Sequence, residues 1–268
     1  MKHRRWVVAR TALATTELAA FQTMNALLHL PMQQITLDSR SGVSKLSLQS
    51  TYYVKLFPGK GTRLKFYLGI SRYQREVHNL QYFQKLGLKT PRLIAHGHDS
   101  RWGQLSRAAL VTLEVENALD LEKLLASGAL YNAGAAGARK ILAELAKAAR
   151  QLHADGFYHQ DLKARNILVR TGDSEPELFF FDCPSGHHPP RFMLRRGIIR
   201  DLAHLEEDLR GHVRRVDLLY MYKQYRDCEK LAPCDKALAR DVLAYYRQRR
   251  MTRKRRLREE RKHQASAG

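Results

Sequence analysis

Acidic residues are scarce in this sequence. Across 268 residues, 26 Asp and Glu stand against 47 Lys and Arg, which leaves a formal net charge of +21. Such a balance makes cationic ligands poor partners and favours polyanions: a phosphate-rich substrate, an anionic membrane face or nucleic acid. Cysteine is sparse too. Cys183, Cys228 and Cys234 form no CxxC pair and have no His at zinc spacing, so neither a disulfide framework nor a zinc site is expected, and a reducing cytosol is the simplest setting. No apolar run reaches the roughly 18 residues that a membrane-spanning helix needs. The first eight residues imitate a signal peptide, but Arg10, Thr11, Thr15, Thr16 and Glu17 interrupt the apolar stretch, and no export signal is read. What the chain does have is 44% apolar residues, enough for one large domain or two lobes with a sizeable core.

Between Asp38 and Asp99 the one acidic residue is Glu76, in a segment crowded with Lys and Arg. It falls in a stretch from Ser71 to Leu86 whose Tyr73, Val77 and Leu80 recur at helical spacing, with Gly87 as the stop. Before it, Gln33 to Phe57 reads as short strands around Ser41-Gly42, the last being Thr51-Tyr52-Tyr53-Val54-Lys55-Leu56-Phe57, closed by Pro58-Gly59. Lys55 therefore lies inside an apolar strand, facing either solvent or an anion. The spacing predicts a helix over Thr16–Leu28. Pro91–Ala95 and Leu105–Leu113 read as strands separated by a His96-Gly97-His98-Asp99 loop, which with two histidines and no third ligand is not expected to bind metal. Asp120 is placed to cap a short helix through Leu125, and Arg139–Ala154 is the clearest helix, ended by Asp155-Gly156. Helix is expected again over Leu202–Leu209, Val213–Tyr225 and Lys236–Arg250, the last running into a tail in which ten basic residues between Arg247 and Lys262 meet only Glu259 and Glu260.

The stretch that gives these elements a purpose is His159-Gln160-Asp161-Leu162-Lys163-Ala164-Arg165-Asn166, followed by apolar Ile167-Leu168-Val169 and then Phe179-Phe180-Phe181-Asp182. An Asp, a Lys two residues on, an Asn five residues on and a second Asp at the end of an apolar strand form the polar inventory of a phosphotransfer site. In such a site one carboxylate orients the acceptor hydroxyl, the Asn and second carboxylate hold Mg²⁺, and the Lys neutralises the moving phosphoryl group.

In this order, Lys55, Glu76, His159-x-Asp161-x-Lys163-x-x-Asn166 and Asp182 resemble the protein-kinase-like superfamily. Within it the chain looks most like the bacterial lipopolysaccharide core (Kdo/heptose) kinase family, through Tyr52-Tyr53-Val54-Lys55, a Gly42-Val43 turn in place of a full Gly-rich loop, and Arg200-Asp201-Leu202-Ala203-His204-Leu205. The likeness runs roughly from Gln33 to Asp208. It implies an α+β, bilobal fold, with a β-rich N-lobe over 33–113 and a helical C-lobe over 114–246; the helical extension expected over 1–32 and the basic tail over 247–268 lie outside its motifs. It further implies ATP and Mg²⁺ as cofactors. Asp161 would orient and deprotonate the acceptor and Lys163 would meet the γ-phosphate; Asn166 and Asp182 would bind the metal. Lys55, held by Glu76, would contact the α- and β-phosphates, with Val115, and behind it Glu114, near adenine, and Asp201 would brace the catalytic loop.

The departures narrow the substrate. Gln160 replaces the Arg with which regulated protein kinases read a phosphorylated loop, and Asp182-Cys183-Pro184 replaces Asp-Phe-Gly, with Pro184 fixing φ where the loop usually flexes. Tyr53 stands where protein kinases keep a small side chain against adenine. Asp201 comes only 19 residues after Asp182, with no Ala-Pro-Glu element between them, so a heptose or Kdo hydroxyl of the lipopolysaccharide core suits the site better than a peptide. Arg191, Arg195 and Arg196, with Arg200, are candidates for its anionic groups, since guanidinium forks match carboxylate and phosphate. The tail would add attraction to the cytoplasmic face of the inner membrane, about 1 kcal/mol per basic residue near an anionic surface, giving a cytoplasmic, peripheral enzyme. Two other readings stay open: a pseudokinase scaffold in envelope assembly, suggested by Cys183-Pro184 and the thin turn, and a nucleic-acid-binding module. The last rests on charge alone, and the tail lacks interleaved aromatics for base stacking.

Overall fold

The computed structural model describes residues 2–10, 13–59, 71–102, 104–172 and 175–266. The chain forms two compact units, one of Met1–Asn117 with Phe179–Ser185, the other of Ala118–Leu178 with Gly186–Gly268.

Period-two alternation organises the first unit. Strands β1 (Lys2–Val8), β2 (Gln33–Leu37), β3 (Gly42–Ser47), β4 (Thr51–Pro58), β5 (Leu93–Arg101) and β6 (Gln104–Leu113) form one antiparallel sheet in the order β1-β5-β6-β4-β3-β2. Along β4, Tyr52 and Val54 point to one face and join Phe21, Met24, Leu27 and Ile94 in a core. Phe57 points to the other and packs with Tyr73, Val77 and Leu80 of α2 (Arg72–Lys85). Lys55 shares the parity of Phe57, so it emerges on the side of α2. Ser71 and Gln74 close a capping box at the start of that helix.

Three sequence expectations change here. Residues 1–32 do not open as a helical extension: β1 pairs with β5, and the Thr16–Leu28 stretch breaks into a 3₁₀ turn, Leu18–Phe21, and α1, Met24–Leu28, capped by Thr23. Phe21 is fully buried and its carbonyl accepts from Trp6 Nε1 at 2.8 Å, so tertiary packing overrides helical periodicity. His96–Asp99 is not a loop but the middle of β5, with Gly97 paired to Trp6. His96 Nδ1 lies 2.8 Å from the Tyr73 hydroxyl, and burial with the nearby Arg5 charge holds both histidines below the ordinary imidazole value. Among the described residues no group of three or more His, Cys, Asp or Glu could hold a metal ion.

The second unit contains a short sheet of β7 (Ala118–Asp120), β8 (Ile167–Arg170) and β9 (Glu177–Phe180), whose last residues carry the chain into the first unit. Its helices are α3 (Leu121–Ala126, capped by Asp120), α4 (Gly134–Ala154), α5 (Arg191–Leu209), α6 (Arg215–Arg226) and α7 (Pro233–Ser266). Helix α4 packs on α6 and α5 on α7. Fully buried Asp217 joins the first pair, accepting from Arg214 (2.6 Å), Arg139 (2.7 Å) and Tyr131 (2.9 Å). Burial opposes its charge, but those hydrogen bonds outweigh it and lower its pKa to about 2. Helix α5 begins eleven residues before the expected Leu202; its first turns interleave arginines with apolar residues, of which Phe192 and Met193 are exposed rather than on a buried stripe. No helix among the described residues is long and apolar enough to cross a membrane.

The backbones of β1 and β5 approach so closely at Gly97 that a Cβ there would lie 2.1 Å from the Arg5 carbonyl oxygen and 2.8 Å from the Trp6 Cα. Gly97→Ala is expected to lower unfolding free energy by about 1–3 kcal/mol in urea denaturation, whereas Gly172→Ala, with nothing within 4 Å, leaves it within about 0.5 kcal/mol. Equal midpoints for the two variants would contradict the role given to β1.

Candidate active site

The first unit assembles one half of the predicted residue set. Lys55 Nζ lies 2.8 and 2.9 Å from the two carboxylate oxygens of Glu76 and 2.7 Å from Asp182 Oδ1. Glu76 is 2% exposed. Burial acts to lower the Lys55 pKa, but the charges of Glu76 and Asp182 more than compensate and hold it above the ordinary value, favouring the ammonium. One cation facing two carboxylates leaves the cluster with a net negative charge. Desolvation accordingly pushes Glu76 up, against the pull of Lys55.

Asp182 is held in a left-handed conformation, φ +52°, uncommon for a residue with a Cβ. Its neighbours explain how. Phe180 N–H donates to the Lys89 carbonyl at 2.9 Å, fixing the strand before it. Asn79 Nδ2 donates to the Cys183 carbonyl at 2.6 Å, with Asn79 and Cys183 both buried. Asn79 stands three residues after Glu76, on the same face of α2, so one helix face holds both Lys55 and the turn after Asp182. The sequence reading missed Asn79, although its spacing from Glu76 was visible. Tyr53 donates to Glu114 at 3.0 Å, and Lys45 pairs with the same carboxylate at 3.1 Å. The Glu114 N–H donates to the Thr51 carbonyl, and Val115 comes next, half-buried.

The second unit assembles the other half. The loop between α4 and β8 starts at Gly156, φ +81°, passes Gln160 at φ +67°, and ends in a 3₁₀ turn, Ala164–Asn166. Asp161 Oδ1 lies 2.5 Å from Lys163 Nζ, and Oδ2 lies 3.3 Å from Arg165. Burial would raise the Asp161 pKa, but Lys163 and then Arg165 outweigh it and bring it to about 2. Asn166, buried, donates from Nδ2 to the Asp161 carbonyl at 2.9 Å, so its Oδ1 is the atom of the amide able to accept.

Two carboxylates of α5 carry this loop. Asp201, fully buried, accepts from the His159 N–H at 2.6 Å, as a bracing carboxylate should. Asp208, two helical turns on, accepts from the Ala164 N–H at 2.7 Å; it was not singled out in the sequence, though a seven-residue spacing puts it on the same face. Between them, His204 hydrogen-bonds Arg249 of α7, which also pairs with Glu207 at 3.1 Å. Desolvation, then the Arg249 charge, lowers the His204 pKa to about 4 and keeps the ring neutral.

Of the candidate substrate arginines, Arg195 is already engaged, 2.5 Å from Asp241. Arg191 and Arg196 are exposed on the first turns of α5 and have no ion pair or hydrogen bond among the described residues. The tail lies on α7 as far as Ser266, and Arg255 pairs with Glu259 on it at 2.9 Å.

A model of the lipopolysaccharide kinase (Kdo/WaaP) family matches residues 35–225, well over half of the chain. No curated protein matches. Among solved structures, one described as WaaP in complex with acyl carrier protein matches with a TM-score of 0.68 at 18% identity, covering 91% of this chain and 97% of that one. At that identity the likeness shows the fold, a kinase-like one with an N-terminal antiparallel sheet and a helical C-terminal part.

Removing the Asn79 amide leaves the buried Cys183 carbonyl without that donor, a loss of about 1–3 kcal/mol. Asn79→Ala is expected to lower stability by that amount and to speed amide hydrogen exchange at Asp182, Cys183 and Ser185 more than in α2 itself. Uniformly faster exchange across the unit would mean that Asn79 supports packing alone.

Proposed function

The chain belongs to the lipopolysaccharide kinase (Kdo/WaaP) family, phosphotransferases acting on sugar hydroxyls, and from this premise we propose that it transfers the γ-phosphoryl group of ATP to a heptose or Kdo hydroxyl of the inner core. The observation that carries the reading is the triple contact of Lys55 with Glu76 and Asp182. A lysine so held stays protonated and fixed in direction, as a group that binds the α- and β-phosphates must be. Val115 offers backbone groups to adenine. The two units, with their boundary near residue 117, act as nucleotide and acceptor lobes.

The residue types that the family resemblance assigns to Mg²⁺ fit it: Asn166, whose amide nitrogen is engaged by the Asp161 carbonyl, and the carboxylate Asp182. Amide and carboxylate oxygens are what this hard cation takes, its shell being completed by phosphates and water. The chemistry it supplies when bound is neutralisation of phosphate charge. Lys163 adds positive charge beside Asp161, where the phosphoryl group arrives. With a pKa of about 2, Asp161 is a weak base at neutral pH. Its work is to accept the acceptor hydroxyl's hydrogen bond and aim the oxygen, taking the proton as the new O–P bond forms.

The cationic α7 tail supports residence at the cytoplasmic face of the inner membrane. The solved relative is described as a complex with acyl carrier protein, and we extend that partner to this chain.

Purified protein with labelled ATP and core lipopolysaccharide should transfer label, and Asp161→Ala should transfer on the order of 10²–10⁴-fold more slowly. Equal transfer by both forms removes Asp161 from the reaction. Because its pKa is depressed, Asp161 stays ionised from high pH down to about pH 4, and no acid limb above that pH belongs to it. In Lys163→Met the largest lowering partner is gone while burial remains. The carboxyl then protonates at higher pH, and activity, normalised to its plateau, should fall earlier on acidification than in the unmodified enzyme.

A further inference from the structure

Next to Asp161, and not needed for handling the nucleotide, lies a chain of polar side chains with a fixed direction. Arg200 Nη1 lies 3.5 Å from Gln160 Oε1, Gln160 Nε2 lies 3.0 Å from His187 Nδ1, and His187 Nε2 lies 3.2 Å from the Tyr158 hydroxyl. Arginine can only donate. The Gln160 oxygen therefore accepts, its amide nitrogen donates to Nδ1, and the imidazole carries its proton on Nε2, which donates to Tyr158. The hydroxyl of Tyr158, having accepted, keeps its own hydrogen for an outside acceptor.

The backbone is built around this chain. Gln160 sits in the left-handed region, a conformation costing roughly 1–2 kcal/mol for a residue with a Cβ. Tyr158 and His187 exchange reciprocal backbone hydrogen bonds at 3.2 Å, and their rings lie 4.8 Å apart. Across from them, α5 presents Gly197, where a Cβ would come within 2.6 Å of the Tyr158 ring. Only a glycine lets that ring lie flat on the helix. One turn apart on α5 stand Arg196, unpaired among the described residues, and Arg200, whose sole described hydrogen bond is to Gln160 and whose Nε is buried without a partner. Arg195 and His188 are by contrast tied to Asp241 and Asp155.

We propose that Arg196, Arg200, Gln160, His187 and Tyr158 form an acceptor subsite that grips an anionic group, carboxylate or phosphate, of the saccharide and so presents its neighbouring hydroxyl to Asp161. The inference rests on the saccharide-kinase reading above and deepens it. The guanidiniums of Arg196 and Arg200 and the terminal O–H of Tyr158 are donors, which is the complement of an oxyanion. Gln160, where regulated protein kinases have Arg, links the recognition of the acceptor to the residue that aims it.

The test uses the full chain. In steady-state transfer to core lipopolysaccharide, Tyr158→Phe and Gln160→Met are each expected to raise the acceptor KM about tenfold, the equivalent of about 1.4 kcal/mol, with the ATP KM unchanged. Gly197→Ala, which displaces the Tyr158 ring without touching its hydroxyl, should give the same split. Unchanged acceptor KM in both relay variants, or parallel rises in both KM values, overturns the subsite and leaves the proposed function standing. If the unmodified enzyme transfers no label, that function fails instead, and the subsite is decided by NMR titration with free Kdo, its methyl ester and a neutral hexose beside its phosphate. Preference for Kdo over its ester, lost in Arg200→Met, supports a carboxylate site. Preference for the hexose phosphate over the other sugars, also lost in Arg200→Met, supports a phosphate site. No preference for charged over neutral sugar overturns both.

Discussion

Two hydrogen bonds from backbone to side chain, His159 N–H to Asp201 and Ala164 N–H to Asp208, hold the loop that carries Asp161. The loop contains Gln160 in a left-handed conformation and ends in a 3₁₀ turn, neither of which propagates from regular structure. A loop of that kind persists only where its surroundings over-determine it. Helix α5 does so by placing carboxylates two turns apart, so that the loop is gripped on both sides of Asp161. The same helix carries Arg200 immediately before Asp201 and Gly197 and Arg196 about one turn earlier, and Arg249 of α7 docks between the two braces. Loop geometry and the proposed acceptor contacts thus share one rigid body.

The first unit solves a parallel problem by parallel means. Asp182 also has a left-handed φ, and α2 restrains the turn beyond it through Asn79 while holding Lys55 through Glu76. Pro184 adds a fixed φ. The Cys183-Pro184 departure from Asp-Phe-Gly therefore does not leave the turn loose: its carbonyl is bound, its cysteine is wholly buried, and Asp182 faces Lys55. A scaffold that had lost its chemistry would have no need to keep a buried lysine between two carboxylates, since an apolar replacement is often as stable or more so.

Much of this was legible because phosphotransfer needs particular residue types in a particular order, and strand parity then settles direction. Lys55 had to face α2 once Tyr52 and Val54 were core, and α4 declared itself through Ile141, Leu142, Leu145 and Leu152. The features that stayed hidden depended on contacts distant in sequence. Trp6 and Phe21 look like parts of separate local patterns until β1 closes on β5 and one covers the other. The start of α5 mixes arginines with apolar residues such as Phe192 and Met193 that end up exposed, so hydrophobic periodicity does not mark its beginning, and its arginines could be counted but not sorted.

Sorting them is the contribution of the three-dimensional arrangement to a charge of +21. Arg139 and Arg214 are consumed by buried Asp217, Arg226 by Asp235, Arg249 by Glu207 and His204. These cations are structural, because an unpaired buried carboxylate would be costly. Arg195 and Asp241 are both largely exposed, so their pair contributes about 0–1 kcal/mol, yet it removes Arg195 from the set available to a ligand. Among the described residues Arg196 and Arg200 have no carboxylate partner, and they stand one turn apart on the helix that braces the Asp161 loop. An excess of positive charge over the whole chain draws in any polyanion; two guanidiniums placed on one helix face beside a directional donor chain can also orient one.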